Sequence, residues 1–160
     1  RRELARLLAQ ELASLTSARV AEIEAAYADF LAANQPLLRC CTSWQLRDGA
    51  VNDHADSVHD AEVIAELRTI DRAIRPVVER LSSDLARFES YGPRFAEALR
   101  RIEVGEFDFV DRPMIDSYHT IWFELHEHLL ATLDIERSTE PIPADHPTPL
   151  PAAVSDDARR

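Results

Sequence analysis

Apolar residues recur at steps of three and four along most of the chain, the spacing that places them on one face of an α-helix. The longest such stripe runs from residue 63 to residue 88 and consists of Val63, Leu67, Ile70, Ile74, Val77, Leu81, Leu85 and Phe88. Shorter stripes occupy residues 4–15, 20–31, 95–102 and 115–129. We therefore predict an all-α protein, an antiparallel bundle of about four to six helices.

Prolines and glycines divide these stripes. Pro36 and Pro76 lie inside helical patterns, and because proline lacks the amide hydrogen that a helix interior needs, we predict a kink at each. The alternative at Pro36 is the beginning of a new helix. Gly92 and Pro93 follow the long stripe. They predict the end of one helix and the beginning of the next.

Two segments read as connections between helices. Residues 47–57 are rich in turn-forming residues, and Ser57 with Asp60 has the spacing of a capping pair for the long helix. Residues 106–110, EFDFV, predict a loop or a short extended segment, and the final helix is expected to begin around Pro113.

The chain has 160 residues, the ordinary size of one domain with a core of its own. From residue 138 onward it is rich in proline and poor in large apolar residues. Such a composition favours a disordered segment. We predict a helical bundle domain over residues 1–137 and a proline-rich disordered tail over residues 138–160.

The charge balance argues against nucleic-acid binding by this segment. The formal net charge is −11, whereas affinity for a phosphate backbone comes from an excess of cations. All 18 basic side chains are arginine. The absence of lysine excludes a Schiff-base lysine and a phosphate-loop lysine.

The cysteines and the apolar runs indicate the compartment. Cys40 and Cys41 are adjacent, and neighbours on a helix point about 100° apart, so they are unsuited to a disulfide with each other. No apolar run approaches the roughly 20 residues that a membrane span needs, and the first residues lack the hydrophobic region of a signal peptide. We expect a cytoplasmic chain, without a membrane association, cut from a longer protein.

Two D-x-x-H pairs, Asp56 with His59 and Asp116 with His119, are the strongest candidates for metal chemistry. If they met, they would suit a metal-dependent hydrolase or oxygenase. Di-metal helix bundles, however, use Glu-x-x-His pairs together with further inward-pointing glutamates. We therefore expect no bound metal or cofactor and keep the metal-dependent enzyme as the alternative.

The segment DSYHTIWFELHEHLL, residues 116–130, combines a packing helix with polar groups at its edge. Tyr118 and Trp122 belong to its apolar stripe, whereas Asp116 and His119 flank that stripe three residues apart. We predict that the first turns of this helix form one wall of a ligand site or of a polar site between elements. Asp116 and His119 are its predicted polar groups, and their spacing predicts a hydrogen bond between them.

Three motifs resemble those of a bacterial family of largely uncharacterised all-helical domains: CTSWQLRDG at 41–49, VNDH at 51–54 and RPMIDSYHTIWFELHEHLL at 112–130. The likeness covers about residues 20–133. The first residues, RRELARLLAQE, resemble the helix that follows the wing in MarR- or PadR-type winged-helix regulators. The domain also resembles segments that accompany phosphoenolpyruvate-utilising modules.

These resemblances imply a non-enzymatic regulatory domain of a larger protein, of the transcriptional-regulator type, that senses a small-molecule effector or contacts a partner. A regulatory segment of a phosphoenolpyruvate-utilising enzyme is the alternative parent. The positions that carry the resemblance come from three separate segments. If the bundle brings them together, they form an aromatic-walled ligand site. Its predicted residues are Trp44, Gln45, Arg47, Asn52, Asp53, His54, Asp116, Tyr118, His119 and Trp122.

Two further interpretations stay open. The same residues would also suit a polar cluster that pins the long loop onto the bundle. Leucines on the first predicted helix favour a homodimer, in which case the domain would serve as a dimerisation module.

Overall fold

The computed structural model describes residues 6, 7, 10 and 13–135, which form a helical bundle with one small β-hairpin. In chain order these residues form α1 (Ser17–Gln45), β1 (Leu46–Arg47), β2 (Ala50–Val51), α2 (Ser57–Asp84), a 3₁₀-helix (Ala86–Phe88), α3 (Tyr91–Glu103), α4 (Asp108–Asp111) and α5 (Tyr118–Leu133). The prediction of an all-α bundle is confirmed. The predicted tail, residues 138–160, and half of the first predicted stripe, residues 4–15, lie outside the described residues.

The two longest helices, α1 and α2, pack antiparallel. Near one end of the pair, Arg19 of α1 lies 3.6 Å from the carboxylate of Asp84 at the end of α2. Further along, the thiol of Cys40 donates to the carbonyl oxygen of Val63 at 3.5 Å. The 11 residues that join the two helices, residues 46–56, contain the hairpin that reverses the chain direction.

Helix α5 runs parallel to α2. Its first residue, Tyr118, donates to Asp71 in the middle of α2. Close to its end, Thr132 accepts a hydrogen bond at 2.7 Å from Arg87, just beyond the end of α2.

Helix α3 is antiparallel to both α2 and α5. Tyr91, the first residue of α3, contacts His128 near the end of α5. At its other end, Glu103 accepts a hydrogen bond from Arg68 of α2 at 2.8 Å. The four long helices therefore alternate in direction around a shared core.

The core is built from the predicted stripe and an aromatic group. All eight apolar residues from Val63 to Phe88 named above are buried. Phe30 and Trp122 stack with ring centroids 5.0 Å apart, and Phe95 lies 4.8 Å from Tyr118 by the same measure. These rings join α1, α3 and α5, so α5 is one of the central helices of the bundle.

Pro36 and Pro76 each lie inside a continuous helix, α1 and α2 respectively. The long stripe, by contrast, does not form one helix to its end. Helix α2 ends at Asp84, and Phe88 belongs to the 3₁₀-helix that follows. Apolar spacing alone does not distinguish these two helix types over a few residues.

The cap of α2 and the start of α5 differ from the predictions. Asp56, rather than Ser57 with Asp60, caps α2 by accepting from the amides of Val58 and His59 at 3.0 and 3.2 Å. The final helix begins at Tyr118 instead of near Pro113.

The start of α5 is set by Ser117, whose hydroxyl accepts from the amide of Thr120. Three residues earlier, Met114 has a φ of 69°, which interrupts any helix from Pro113. The segment predicted as a loop or extended, residues 106–110, instead includes the start of the one-turn helix α4.

The hairpin between α1 and α2 was predicted only as a turn-rich segment. Leu46 pairs with Val51 and Arg47 with Ala50, leaving a two-residue Asp-Gly turn. Both turn residues have positive φ, 50° and 80°, as a type I′ turn requires. This turn sends the chain back toward Trp44 at the end of α1.

Candidate functional site

Asn52 ties the hairpin to the end of α1. Its backbone amide donates to the carbonyl oxygen of Gln45 at 2.8 Å, and its side-chain Nδ2 donates to the carbonyl oxygen of Trp44 at 3.0 Å. The residue is only 6% exposed. A buried amide with its donors satisfied holds the chain in one conformation, since breaking either bond would leave a polar group unpaired.

The same side chain connects to the start of α2 through Asp60. Asn52 Nδ2 lies 3.1 Å from Asp60 Oδ1, and His54 Nδ1 lies 3.0 and 3.1 Å from the two carboxylate oxygens. Because a carboxylate only accepts, Nδ1 of neutral His54 carries the proton and Nε2 is an acceptor. Asp60 is nearly buried, so it fixes both the tautomer and the orientation of the imidazole.

His54 also adopts a backbone conformation that its neighbours impose. Its φ is 57°, in the left-handed region, and its amide donates to Asn52 Oδ1 at 3.2 Å. A non-glycine residue is held there only where other contacts compensate for the strain. The Asn52 and Asp60 bonds supply that compensation.

An aromatic surface covers this network. The rings of Trp44 and His54 lie 4.4 Å apart, and Phe107, at the start of α4, meets Trp44 edge-on at 5.5 Å. Trp44 is buried, whereas the side chain of His54 is 39% exposed and Phe107 is 42% exposed. We call residues 44–60 and 106–112 the hairpin end.

The remaining predicted polar residues of the hairpin end have internal partners. Gln45 donates to Asp111 at 2.6 Å, and Arg47 lies 2.7 Å from Asp56. Asp53 accepts from the amide of Ala55. Backbone hydrogen bonds at the start of α2, followed by the charge of Arg47, lower the pKa of Asp56.

Asp116 does not bond to His119, so that prediction is wrong. Both carboxylate oxygens of Asp116 accept from Arg94 of α3 at 2.9 Å, and Arg94 also lies 2.6 Å from Glu124. Since Ser117 is the helix cap, Asp116 lies outside the helix and the i, i+3 geometry does not apply. The bidentate pairing with Arg94 lowers the pKa of Asp116.

Tyr118 and Trp122 belong to the core rather than to an open site. The hydroxyl of Tyr118 donates to Asp71 at 3.1 Å, and Nε1 of Trp122 donates to Asn34 at 2.9 Å. Both aromatic residues are buried. Burial, followed by the charge of Asp71, raises the pKa of Tyr118 well above its usual value.

The structure separates the ten predicted site residues into two groups. Tyr118 contacts Asp71 of α2, which lies 15 residues after Asp56, the cap of that helix. At a rise of about 1.5 Å per residue, this separation corresponds to roughly 20 Å. The first group lies at the hairpin end and comprises Trp44, Gln45, Arg47, Asn52, Asp53 and His54. The second lies around the first turns of α5 and comprises Asp116, Tyr118, His119 and Trp122.

The same separation keeps the two D-x-x-H pairs apart. Over residues 6, 7, 10 and 13–135, no group of three or more His, Cys, Asp or Glu side chains has the arrangement to hold a metal ion. Asp56 instead caps α2, and His59 Nε2 lies 2.9 Å from the carbonyl oxygen of Ser43.

Sequence reasoning missed Asp60, Phe107 and Arg94 as members of these clusters. Asp60 and His54 lie six residues apart across a loop-to-helix boundary, and Phe107 reaches Trp44 from 63 residues away. No periodic pattern spans such separations. The Asp48-Gly49 turn was the only local signal that pointed to the hairpin, because this dipeptide is typical of two-residue hairpin turns.

No protein-family model, curated protein or solved structure matches this chain. The resemblance to uncharacterised bacterial helical domains therefore stays a prediction. Among the helices that the structure describes, none combines the length and apolar character needed to cross a membrane.

Proposed function

We propose that this chain is a non-enzymatic binding domain of a larger regulatory protein, and that the hairpin end recognises its effector or partner. One observation carries the proposal: the partly exposed His54 and Phe107 rings flank Trp44, on a support of buried hydrogen bonds from Asn52 and Asp60. Exposed aromatic groups on a rigid polar support are typical of recognition surfaces.

Rigidity supports binding because a preformed surface loses little conformational entropy when a ligand arrives. The His54 imidazole is held by Asp60 and by contact with Trp44, and its backbone is held by Asn52. Within the described part of the chain, no group bonds Nε2 of His54, which is the acceptor nitrogen of the neutral ring. A ligand that combines a hydrogen-bond donor with an apolar face would fit these groups.

The partners and pKa values of the carboxylates in the two candidate regions support a ligand-binding function over acid–base catalysis. Asp60 is bonded to Asn52 and His54, Asp56 to the start of α2, and Asp116 to Arg94. The pKa values of Asp56 and Asp116 are lowered, away from the range in which a carboxyl serves as a general acid at neutral pH. This supports the non-enzymatic interpretation.

A fragment-compound screen by amide-detected NMR tests the proposal. Compounds that bind should shift the Trp44 indole signal and the amides of residues 46–54, and Val51→Ser should weaken that binding. Phe123→Ser, which removes an exposed apolar side chain from α5, is the matched control.

Two results would argue against the proposal. One is a set of compounds that all map to the region of Asp116 and His119. The other is near-stoichiometric zinc, iron or manganese in protein purified without chelator and lost on His119→Ala, which would favour the metal-dependent enzyme.

A further inference from the structure

The hairpin end carries apolar side chains that no described part of the chain covers. Val51 is 81% exposed, Val58 66% and Leu46 45%. Leu46 and Val51 are direct partners across the hairpin and therefore lie on the same face of it. Phe107, beside Trp44, is exposed as well. Among the residues that the structure describes, four of the eight exposed large apolar residues lie at this end of the bundle.

The same end carries a concentration of negative charge. Residues 44–60 and 106–112 contain seven acidic side chains and two arginines, Arg47 and Arg112, a formal charge of −5 with histidines neutral. These 24 residues hold nearly half of the excess negative charge of the 160-residue chain, which is −11.

The two arginines of the hairpin end are already paired. Arg47 lies beside Asp56 and Asp48, and Arg112 pairs with Asp108. Arg101 of α3 adds one cation, which lies 3.1 Å from Glu106. The arginines therefore neutralise acids of the same surface and leave a surplus of carboxylates around the apolar groups.

We infer that the hairpin end docks a cationic amphipathic protein segment, one that presents aliphatic side chains flanked by arginine or lysine. This inference rests on the proposed function, because it names the partner of the same surface. The apolar groups supply affinity by losing contact with water, and the acidic surroundings select positive charge and reject anionic surfaces such as phosphate backbones or acidic lipids.

The experiment uses the full chain and three fluorescein-labelled peptides of equal length, measured by anisotropy. The first is a leucine–lysine peptide with one apolar and one cationic helix face. The second replaces each lysine by glutamate and the third replaces each leucine by serine. The leucine–lysine peptide should bind at least about tenfold more tightly than either relative, and added salt should weaken it.

Paired variants locate the binding. Val51→Ser combined with Phe107→Ser should raise the dissociation constant of the leucine–lysine peptide by about fivefold or more, whereas Phe123→Ser should leave it unchanged. Asp48→Asn combined with Asp53→Asn should weaken binding of this peptide and make that binding less dependent on salt. The control for that charge change is Glu22→Gln combined with Glu89→Gln, two exposed acids away from the hairpin end.

Several results would overturn the inference. Equal affinity for the serine–lysine peptide would mean that charge alone is responsible, and an equal effect of Phe123→Ser would place the site elsewhere. If sedimentation shows self-association that Val51→Ser with Phe107→Ser abolishes, a second copy of the chain occupies the surface instead. If fragments map to the hairpin end while the peptides do not discriminate, this inference fails and the proposed function stands.

Discussion

The hydroxyl of Tyr118 donates a hydrogen bond to Asp71 Oδ1 across the core at 3.1 Å, although the two residues lie 47 positions apart. Both are buried, and the other oxygen of Asp71 accepts from Arg75 one turn further along α2. This bond holds the first turn of α5 against the middle of α2. It therefore also keeps that turn away from the hairpin end.

Removal of the Tyr118 hydroxyl should destabilise the folded protein. Tyr118→Phe leaves a buried carboxylate oxygen without its donor, and we expect a loss of about 1–3 kcal/mol in the free energy of unfolding, measured with urea. The control is Tyr91→Phe, which removes a buried hydroxyl whose partner at 2.7 Å is the exposed His128 and not a buried carboxylate. A cost for Tyr118→Phe no larger than that of Tyr91→Phe would contradict the role assigned to Asp71.

The stability of the hairpin turn should depend on the backbone conformation of Gly49 and not on the space around it. A Cβ added at Gly49 meets no atom within 4 Å, but the φ of +80° disfavours any L side chain. Gly49→Ala should therefore destabilise the protein by about 1–2 kcal/mol. Gly92→Ala is the control, because Gly92 lies in α3 with only an ordinary contact of 3.9 Å to Val78.

Gly92→Ala is expected to be neutral or to stabilise the protein by up to about 1 kcal/mol. Thermal unfolding of the two variants beside the parent chain measures the difference. Equal effects of the two substitutions would show that the left-handed turn is not maintained in solution.

Apolar spacing predicted the helical architecture because residues of one stripe contact the core within a few positions of each other. Every residue from Val63 to Phe88 in the predicted stripe is buried. The ends of helices were predicted less well, since Asp56 and Ser117 act through single hydrogen bonds that compete with neighbouring candidates.

The candidate site was predicted in part. Trp44, Asn52 and His54 are close in sequence and the hairpin brings them together. Asp116 does not join them, because it pairs with Arg94, 22 residues away, and not with His119. That pairing is a tertiary contact, which no local pattern encodes.

His128 should make stability depend on pH. Burial, followed by the positive charge of Arg87, lowers the pKa of His128 in the folded protein. The unfolded chain therefore binds more protons near the ordinary histidine pKa of about 6.5, so this residue makes stability fall as pH decreases from about 7 to about 5.

Urea midpoints across that range measure the effect. His128→Gln should flatten the decline, and Arg87→Gln should flatten it less, because burial is the larger cause. Parallel curves for the parent chain and His128→Gln would contradict the prediction.

The two cysteines should be chemically silent in the folded protein. Burial is the main cause that raises the pKa of both Cys40 and Cys41 to about 12, so neither forms appreciable thiolate at about pH 8. Ellman's reagent should react at least about a hundredfold more slowly with native protein than with unfolded protein. Ala50→Cys, on the exposed hairpin, is the positive control, and rapid native reaction of the parent chain would contradict the buried placement.

The central claim is that binding belongs to the hairpin end and depends on the Asn52 network. The most direct test is the dissociation constant of the tightest-binding fragment or peptide for the parent chain, Asn52→Ala and Asp116→Asn, at a temperature where all three are folded. We predict that Asn52→Ala weakens binding by about tenfold or more, because Trp44 and His54 lose their shared support, and that Asp116→Asn leaves it unchanged. Unchanged binding by Asn52→Ala together with weakened binding by Asp116→Asn would contradict the claim.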